Sequence, residues 1–268
     1  MTTMLNARTT NGKTAGGNGH LEVALPEPGK VLTQDSEWCV VRYGDEWRRV
    51  RFHDYEKLFA IPGLYEKVIY DILACNSPEV ITGLLATAMV RDGMAARDLH
   101  VLDLGAGNGM VGEHLSRLGT KVIVGVDIID EAAKAAERDR PGVYHDYHVL
   151  DLTRLTDQQR QELSAYKFNC LTCVAALGFG DIPVAAFATA YNLVRPDGWI
   201  AFNIKEAFLN GQDKSGFADL VRQMTQDGIL QVERRQRYQH RLGTNRNPIH
   251  YVAMVGRKRS ALDESAFC

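Results

Sequence analysis

The densest chemistry in the chain lies in VLDLGAGNGMVG, residues 101–112. A carboxylate, Asp103, is followed by glycines at 105, 107, 109 and 112. Two further acids stand at the ends of apolar runs: Asp127 closes VGVD and Asp151 lies in HVLDL. A glycine-rich loop lets backbone approach a ligand closely, and GNGMVG matches the G-x-G-x-x-G dinucleotide fingerprint. In that fingerprint the first glycine follows the strand directly. Here the strand ends at Leu104, so the loop's first glycine is Gly105 and the third position falls on Met110. The match is slipped by two residues. Asp103 also opposes a pyrophosphate, because a carboxylate repels a diphosphate and attracts an ammonium or sulfonium. Asp127 can accept from both hydroxyls of a ribose, the role an acid takes at this place in nucleoside sites. The expected ligand is a ribonucleoside that carries a cation.

The elements around these residues alternate. LHVLDL, KVIVGV, Tyr144–Val149, Phe168–Val174 and WIAFNI read as strands, separated by helices at Gly109–Leu118, Asp130–Asp139, Thr156–Tyr166 and Asp181–Val194. Thr156 with Gln159 is spaced as a capping box, and Asp181 is expected to cap its helix. Strands and helices alternating at this spacing predict a doubly wound α/β fold with a parallel sheet. In such a sheet the strand-end acids line up on the carboxyl edge, where ligands bind. After a helix at Ser215–Asp227, ILQVERRQRYQHR and IHYVAMVGRKR are joined only by LGTNRNP. That is too short for a crossover, so they form an antiparallel hairpin and the sheet has seven strands.

Ahead of this domain, EWCVVRYGDEWRRVRF predicts a hairpin turning at Gly44-Asp45-Glu46, and Ser77-Pro78 opens a helix. The expected organisation is a disordered arm at 1–30, an accessory or lid region at 31–98, the nucleoside-binding domain at 99–259, and a loose tail at 260–268. The five cysteines are odd in number and scattered, which does not suggest a disulfide framework. Cys170 and Cys173 form a CxxC inside a buried-strand pattern and read as core residues. A net charge of -2 provides no global pull toward nucleic acid or an anionic membrane. No apolar run approaches a bilayer span and the first twenty residues lack the apolar core of a secretory signal, so a cytoplasmic protein without a membrane partner is expected.

Taken together, DLGAGNG, VGVD, HVLDL, the turn LVRPDGW and the terminal hairpin resemble the class I S-adenosylmethionine-dependent methyltransferases. The resemblance covers about Leu99 to Arg259. It is nearest to the small-molecule type, including the Williams–Beuren-region group, whose GAGTG-L-VG stretch looks like GAGNGMVG. In LVRPDGW, Asp197 stands where that family has a glycine. The resemblance implies a Rossmann-like fold and S-adenosyl-L-methionine as cofactor. Gly105, Gly107 and Gly109, with Ala106 between them, would let backbone approach its methionine part, and Asp103 would face its amino group. Asp127 would hold the ribose with Ile128 beside it, and Asp151 would accept from the adenine amine near the Leu152 backbone. Val174 and Ala175 would line the pocket near the sulfonium.

Methyl transfer is an in-line displacement in which the cofactor supplies the reactivity, so the catalytic residues leave a weak trace in sequence. No N/D-P-P-Y follows the fourth strand, no Pro precedes Cys173, and no metal-binding acid cluster of the catechol type is present, so no metal is expected. Expected candidates for acceptor contact or catalysis are His53, Tyr55 and Glu206, with Tyr65 closing over the cofactor. For His53, Tyr55 and Tyr65 the competing reading is a helix packing aromatics into a core. For Glu206 it is a solvated acid. The run from Arg234 to Arg246 holds five arginines and could grip a phosphate backbone or shield a sheet edge. The expectation is methyl transfer to O, N or S of a small-molecule metabolite. The alternatives are an RNA or protein methyltransferase using the Arg234–Arg246 stripe, or a nucleoside-binding protein without turnover.

Overall fold

The computed structural model describes residues 21–27, 32–44 and 46–267. The greater part of the expected N-terminal arm, the hairpin residue Asp45 and the final Cys268 lie outside them. Two compact units form, one of residues up to 76 together with 239–249, the other of 77–238 with 250–268. The division expected at residue 98 thus falls at 76. The reason is the helix Ser77–Arg91, which packs on the helix Met110–Arg117 and on the fifth parallel strand of the main sheet, and so completes the larger unit's helical layer.

The smaller unit carries a three-stranded antiparallel sheet of β1 (Glu22–Ala24), β2 (Trp38–Tyr43) and β3 (Glu46–Arg51). β2 and β3 form the expected hairpin, with Tyr43 opposite Glu46 and Trp38 opposite Arg51. β1 corrects the reading of an arm disordered to residue 30, since Val23 pairs with Val41 and is buried. Leu58, Leu64, Val68 and Leu73 from the short helical turns after β3 join Cys39, Val41 and Val50 in its core. An ion pair is sealed in this unit: Arg241 donates to Glu37 at 2.6 Å, and Glu37 also accepts the Thr244 N–H.

The larger unit holds a seven-stranded sheet of β4 (His100–Leu104), β5 (Val122–Asp127), β6 (Asp146–Val149), β7 (Cys170–Cys173), β8 (Trp199–Lys205), β9 (Leu230–Leu242) and β10 (Pro248–Lys258). Their order is β6-β5-β4-β7-β8-β10-β9. The first five are parallel and β10 runs antiparallel to β8, with Ala253 opposite Asn203. The doubly wound fold read from the alternation is therefore the one observed. From β4 the chain steps outward through β5 to β6, then returns to β7 and steps the other way to β8. The direction switches between β4 and β7, and in open α/β sheets that switch opens a crevice at the carboxyl edge.

Leu102, Leu104, Val124, Val126, Leu171, Phe187, Tyr191, Ile200 and Phe202 pack the main core. Cys170 and Cys173 are both fully buried, Cys173 within this core, and burial pushes both thiols up, as expected of core cysteines. The following helix runs Val184–Leu193, with Pro183 rather than Asp181 at the N-cap position. The carbonyls at that helix's other end are capped from afar: buried Lys258 donates to those of Tyr191, Asn192 and Val194 at 3.0, 3.1 and 2.7 Å. Asp197, in place of a glycine, accepts the left-handed φ of +59° its turn demands. Residues 262–264 of the expected tail are not loose. Leu262 is buried, and Glu264 accepts from Arg160, Thr189 and Asn192.

Candidate functional site

Asp103, Asp127 and the glycine loop meet on the carboxyl edge at the switch between β4 and β7. The loop leaves β4 at Leu104, and its first two amides, Gly105 and Ala106, both donate to the Val126 carbonyl. Gly105 takes a φ of +69°, and a Cβ there would stand 3.0 Å from Ile182 Cδ1 and 3.1 Å from Ala176 Cβ. Both the left-handed backbone and the close approach of the segment after β7 favour glycine. Gly109, at φ +88°, is the N-cap of the helix Met110–Arg117.

Asp127 is a staple of this loop. Its Oδ2 accepts the Gly107 N–H at 3.0 Å and its Oδ1 the Ile129 N–H at 3.1 Å. Burial raises its pKa, while these amides oppose the rise. A carboxylate has about four lone-pair sites, so these two bonds, with the Ile128 amide also facing it, leave it capacity for a further hydroxyl donor. Ile128, the next residue, is 62% exposed, a large apolar side chain presented at the carboxyl edge.

Asp103 is 1% exposed. It accepts from Thr172 Oγ1 at 2.7 Å and from Tyr144 Oη at 2.8 Å, so both oxygens are engaged within the protein. Burial pushes its pKa up to about 6, against the two hydroxyl donors and with a contribution from the Asp127 charge. Asp151 sits differently. Its Oδ1 accepts the Thr153 N–H and hydroxyl at 2.9 and 2.6 Å, capping the short turn Leu152–Arg154, and those bonds lower its pKa. Leu152 is buried in the main core.

On the other side of the switch, Ala175 follows β7 with a left-handed φ of +58°. Its N–H donates to Asn203 Oδ1 at 2.7 Å, Asn203 Nδ2 donates to Tyr238 Oη at 2.6 Å, and Tyr238 and Ser77 share a hydroxyl hydrogen bond of 2.7 Å. β7 pairs with β8 only as far as Cys173 opposite Phe202. The Asn203 side chain takes up the next amide but one, and the chain turns out of the sheet at that point.

His53, Tyr55 and Tyr65 belong to the smaller unit and stand in a run of ring contacts: His53–Tyr55 at 5.8 Å, Tyr55–Phe59 at 6.1 Å, Phe59–Tyr65 at 4.8 Å and Tyr65–Tyr70 at 6.0 Å. This is the aromatic packing that competed with a lid role. Arg237 donates to Glu206 at 2.6 Å and holds its carboxyl below the usual range. The arginine stripe is largely spent internally. Arg237 pairs with Glu206, Arg241 is 4% exposed against Glu37, and Arg246 donates to the Ile72 carbonyl. Among the described residues no three His, Cys, Asp or Glu side chains gather as a metal site, and no single helix is long and apolar enough to cross a membrane.

Side chains that carry no motif in the sequence surround the loop. Tyr147 Oη donates to the Gly107 carbonyl at 2.9 Å, and Tyr144 Oη reaches the Ala106 carbonyl at 3.3 Å. Arg140 donates to the Asn108 carbonyl at 3.1 Å and to Glu113 at 2.8 Å, and Asn108 Nδ2 donates to Asp139 at 3.2 Å. Tyr147 lies in β6 and Tyr144 just before it, while Asp139 and Arg140 end the helix Asp130–Asp139. Glycines at 112 and 125, facing aromatic residues, were the one available signal.

Residues 79–245 match the family described as "Methyltransferase domain". Curated relatives include the ubiquinone biosynthesis O-methyltransferases of Neisseria meningitidis serogroup C, 26% identical over 107 residues (40% of this chain and 44% of the relative), and of Xanthomonas axonopodis pv. citri, 32% identical over 100 residues (37% and 39%). The matched stretch spans less than half the length of either relative. Among solved structures, the fold is similar to an N-methyltransferase, NodS, of Bradyrhizobium japonicum WM9 in complex with S-adenosyl-L-homocysteine, at TM-score 0.52 and 14% identity, covering 78% of this chain and 98% of that one. It is also similar to an S-adenosylmethionine-dependent methyltransferase of Clostridium acetobutylicum ATCC 824, at TM-score 0.50 and 14% identity, covering 76% and 99%.

Proposed function

Because the chain belongs to the methyltransferase-domain family, we propose that it transfers a methyl group from S-adenosyl-L-methionine to an oxygen, nitrogen or sulfur atom of a small-molecule acceptor. The observation that carries this reading is the pairing of Asp127 with the glycine loop at the sheet's switch point, where a carboxylate with spare acceptor capacity stands against a loop of left-handed glycines at 105, 107 and 109.

The site suits that cofactor. Gly105, Ala106, Gly107 and Gly109 would admit its methionine part, and Asp127 would accept from the ribose hydroxyls. Ile128 would cover one face of the adenine, and Asp151, with one oxygen outside its local cap, would accept from the adenine amine beside the Leu152 backbone. Asp103 would supply negative potential to the amino group from beneath the loop. When bound, the cofactor supplies an electrophilic methyl on a sulfonium. The chain's work is to align the acceptor and exclude water, with Val174 and Ala175 as the wall at the end of β7. The named relatives favour an oxygen acceptor on a small metabolite. The internal pairing of Arg237 and Arg241 counts against a nucleic-acid grip by the stripe.

Calorimetric titration with S-adenosylmethionine, S-adenosylhomocysteine and NADH tests the reading. Micromolar binding of the first two, with none for NADH, is the expected result. A preference for NADH, or no binding of the first two, would overturn it.

A further inference from the structure

Four neighbouring strands place one row of residues across the sheet beneath the loop: Tyr147 on β6 is opposite Gly125 on β5, Gly125 is opposite Asp103 on β4, and Asp103 is opposite Thr172 on β7. The Tyr147 ring occupies the space over Gly125, where a Cβ would come within 2.9 Å of Tyr147 Cδ2. The Tyr144 ring lies against the helix after the loop, where a Cβ on Gly112 would come within 2.8 Å of its Cζ and one on Gly109 within 3.3 Å of its Cε2. The two rings meet edge to face at 5.2 Å. The last glycine of GNGMVG therefore seats a tyrosine of this chain. Burial raises both phenols well above their ordinary range, so both hydroxyls remain donors.

We propose that Tyr144 and Tyr147 are positioning residues of the cofactor site, a two-ring brace in which the Tyr147 hydroxyl holds the Gly107 carbonyl and the Tyr144 hydroxyl holds the Asp103 carboxyl beneath the loop, so that together they fix the orientation of the loop's peptides toward the methionine part of the cofactor. This rests on the reading of the loop as a site for S-adenosylmethionine. A trans peptide is planar, so holding one end of it fixes the other. The Ala106–Gly107 peptide is held at its N–H by Asp127, and the Tyr144 hydroxyl, which donates to Asp103, stands 3.3 Å from its carbonyl. The Gly107–Asn108 peptide is held at its carbonyl by Tyr147. Tyr144 also acts on Asp103. It and Thr172 are the hydroxyl donors to that carboxyl, whose charge is also faced by Asp127 on β5, Tyr147 on β6 and the thiols of Cys170 and Cys173 on β7.

The test is calorimetric affinity for S-adenosylmethionine and S-adenosylhomocysteine in wild type, Tyr144→Phe and Tyr147→Phe, with unfolding midpoints measured alongside. Each variant keeps its ring and loses one hydroxyl. Each is expected to bind both ligands about five- to tenfold more weakly, the range of one hydrogen bond, while the midpoint falls by only a few degrees. A pH series separates positioning from bulk stability. Wild-type affinity for S-adenosylmethionine rises as pH passes the Asp103 transition. That transition moves to higher pH in Tyr144→Phe, which removes a donor to Asp103, and stays in place in Tyr147→Phe. Asp127 titrates alike in both variants. If wild type binds and both variants bind within twofold of it, the brace is wrong and the cofactor reading stands. If wild type binds neither ligand, the cofactor reading falls and the brace with it. Should Tyr144→Phe fail to fold, Tyr147→Phe decides through affinity alone.

Discussion

The side chain of Asp127 accepts the backbone N–H of Gly107 at 3.0 Å, tying the end of the second parallel strand to the loop that follows the first. One carboxylate thus shapes the loop and, on the proposed reading, would also accept a ligand's hydroxyls. Hydrogen bonds to a charged group are worth about 1.5–3 kcal/mol each. Asp127→Ala is therefore expected to weaken S-adenosylmethionine binding about a hundredfold or more, and to lower stability by about 1–3 kcal/mol through the orphaned amides. Asp127→Asn, which keeps one acceptor oxygen, should lose less of both. Titration calorimetry and urea denaturation check the pair, and equal affinity in wild type and Asp127→Ala would sink the assignment.

Asp103 makes stability depend on pH in a stated direction. Its folded pKa, raised to about 6, lies above its unfolded value. Below the unfolded value the carboxyl is protonated in both states and its full contribution is present. As pH rises through the folded value the chain must bury a charge, and that stability is lost. Asp103→Asn carries no such charge. Relative to wild type it should therefore gain stability between about pH 4 and pH 7, by about 3 kcal/mol at most. Urea denaturation at both ends of that window measures the difference. A gap that is flat with pH would mean the carboxyl titrates alike folded and unfolded.

Asn203 accepts the Ala175 N–H and in turn donates to Tyr238. Asn203→Leu nearly preserves volume but strands that amide in the core. A loss of about 1–3 kcal/mol is expected, while Tyr238→Phe should cost about 1 kcal/mol. Equilibrium unfolding of the two variants gives the ranking, and the reverse order would show that Tyr238 anchors the network.

In the smaller unit, Glu37 and Arg241 are 2% and 4% exposed and face each other. Removing one member leaves a buried charge unpaired, so Glu37→Ala should destabilise by about 3–5 kcal/mol. Replacing both by apolar residues of similar size should recover most of the loss. Denaturation of the single and double variants decides it. A double variant no better than Glu37→Ala would mean the pair is valued for more than mutual neutralisation.

The main architecture and half of the site are legible in the order of residues alone. The alternation of apolar strands with helices, the capping box at Thr156–Gln159 and the short link before the last strand are local signals, and each forms as read. The strand-end acids are legible because a strand ending in Asp before a glycine loop leaves a mark within a dozen residues. What Asp103 faces, which arginines are spent and where the loop is braced emerge only on folding. Arg241 is sealed against Glu37 across 204 positions, and Tyr144 reaches Asp103 across 41. Such partners are chosen by strand order, which sets β6 two strands from β4 and lets a tyrosine fill the space of a glycine. Periodicity reports which face of an element is buried, while the identity of what covers that face depends on loop closures and packing with no period in the chain. Lys258 capping the helix that ends at Leu193 has the same origin: neither end of that contact marks the other in sequence, and only the fold makes the buried cation and the unpaired carbonyls complete each other.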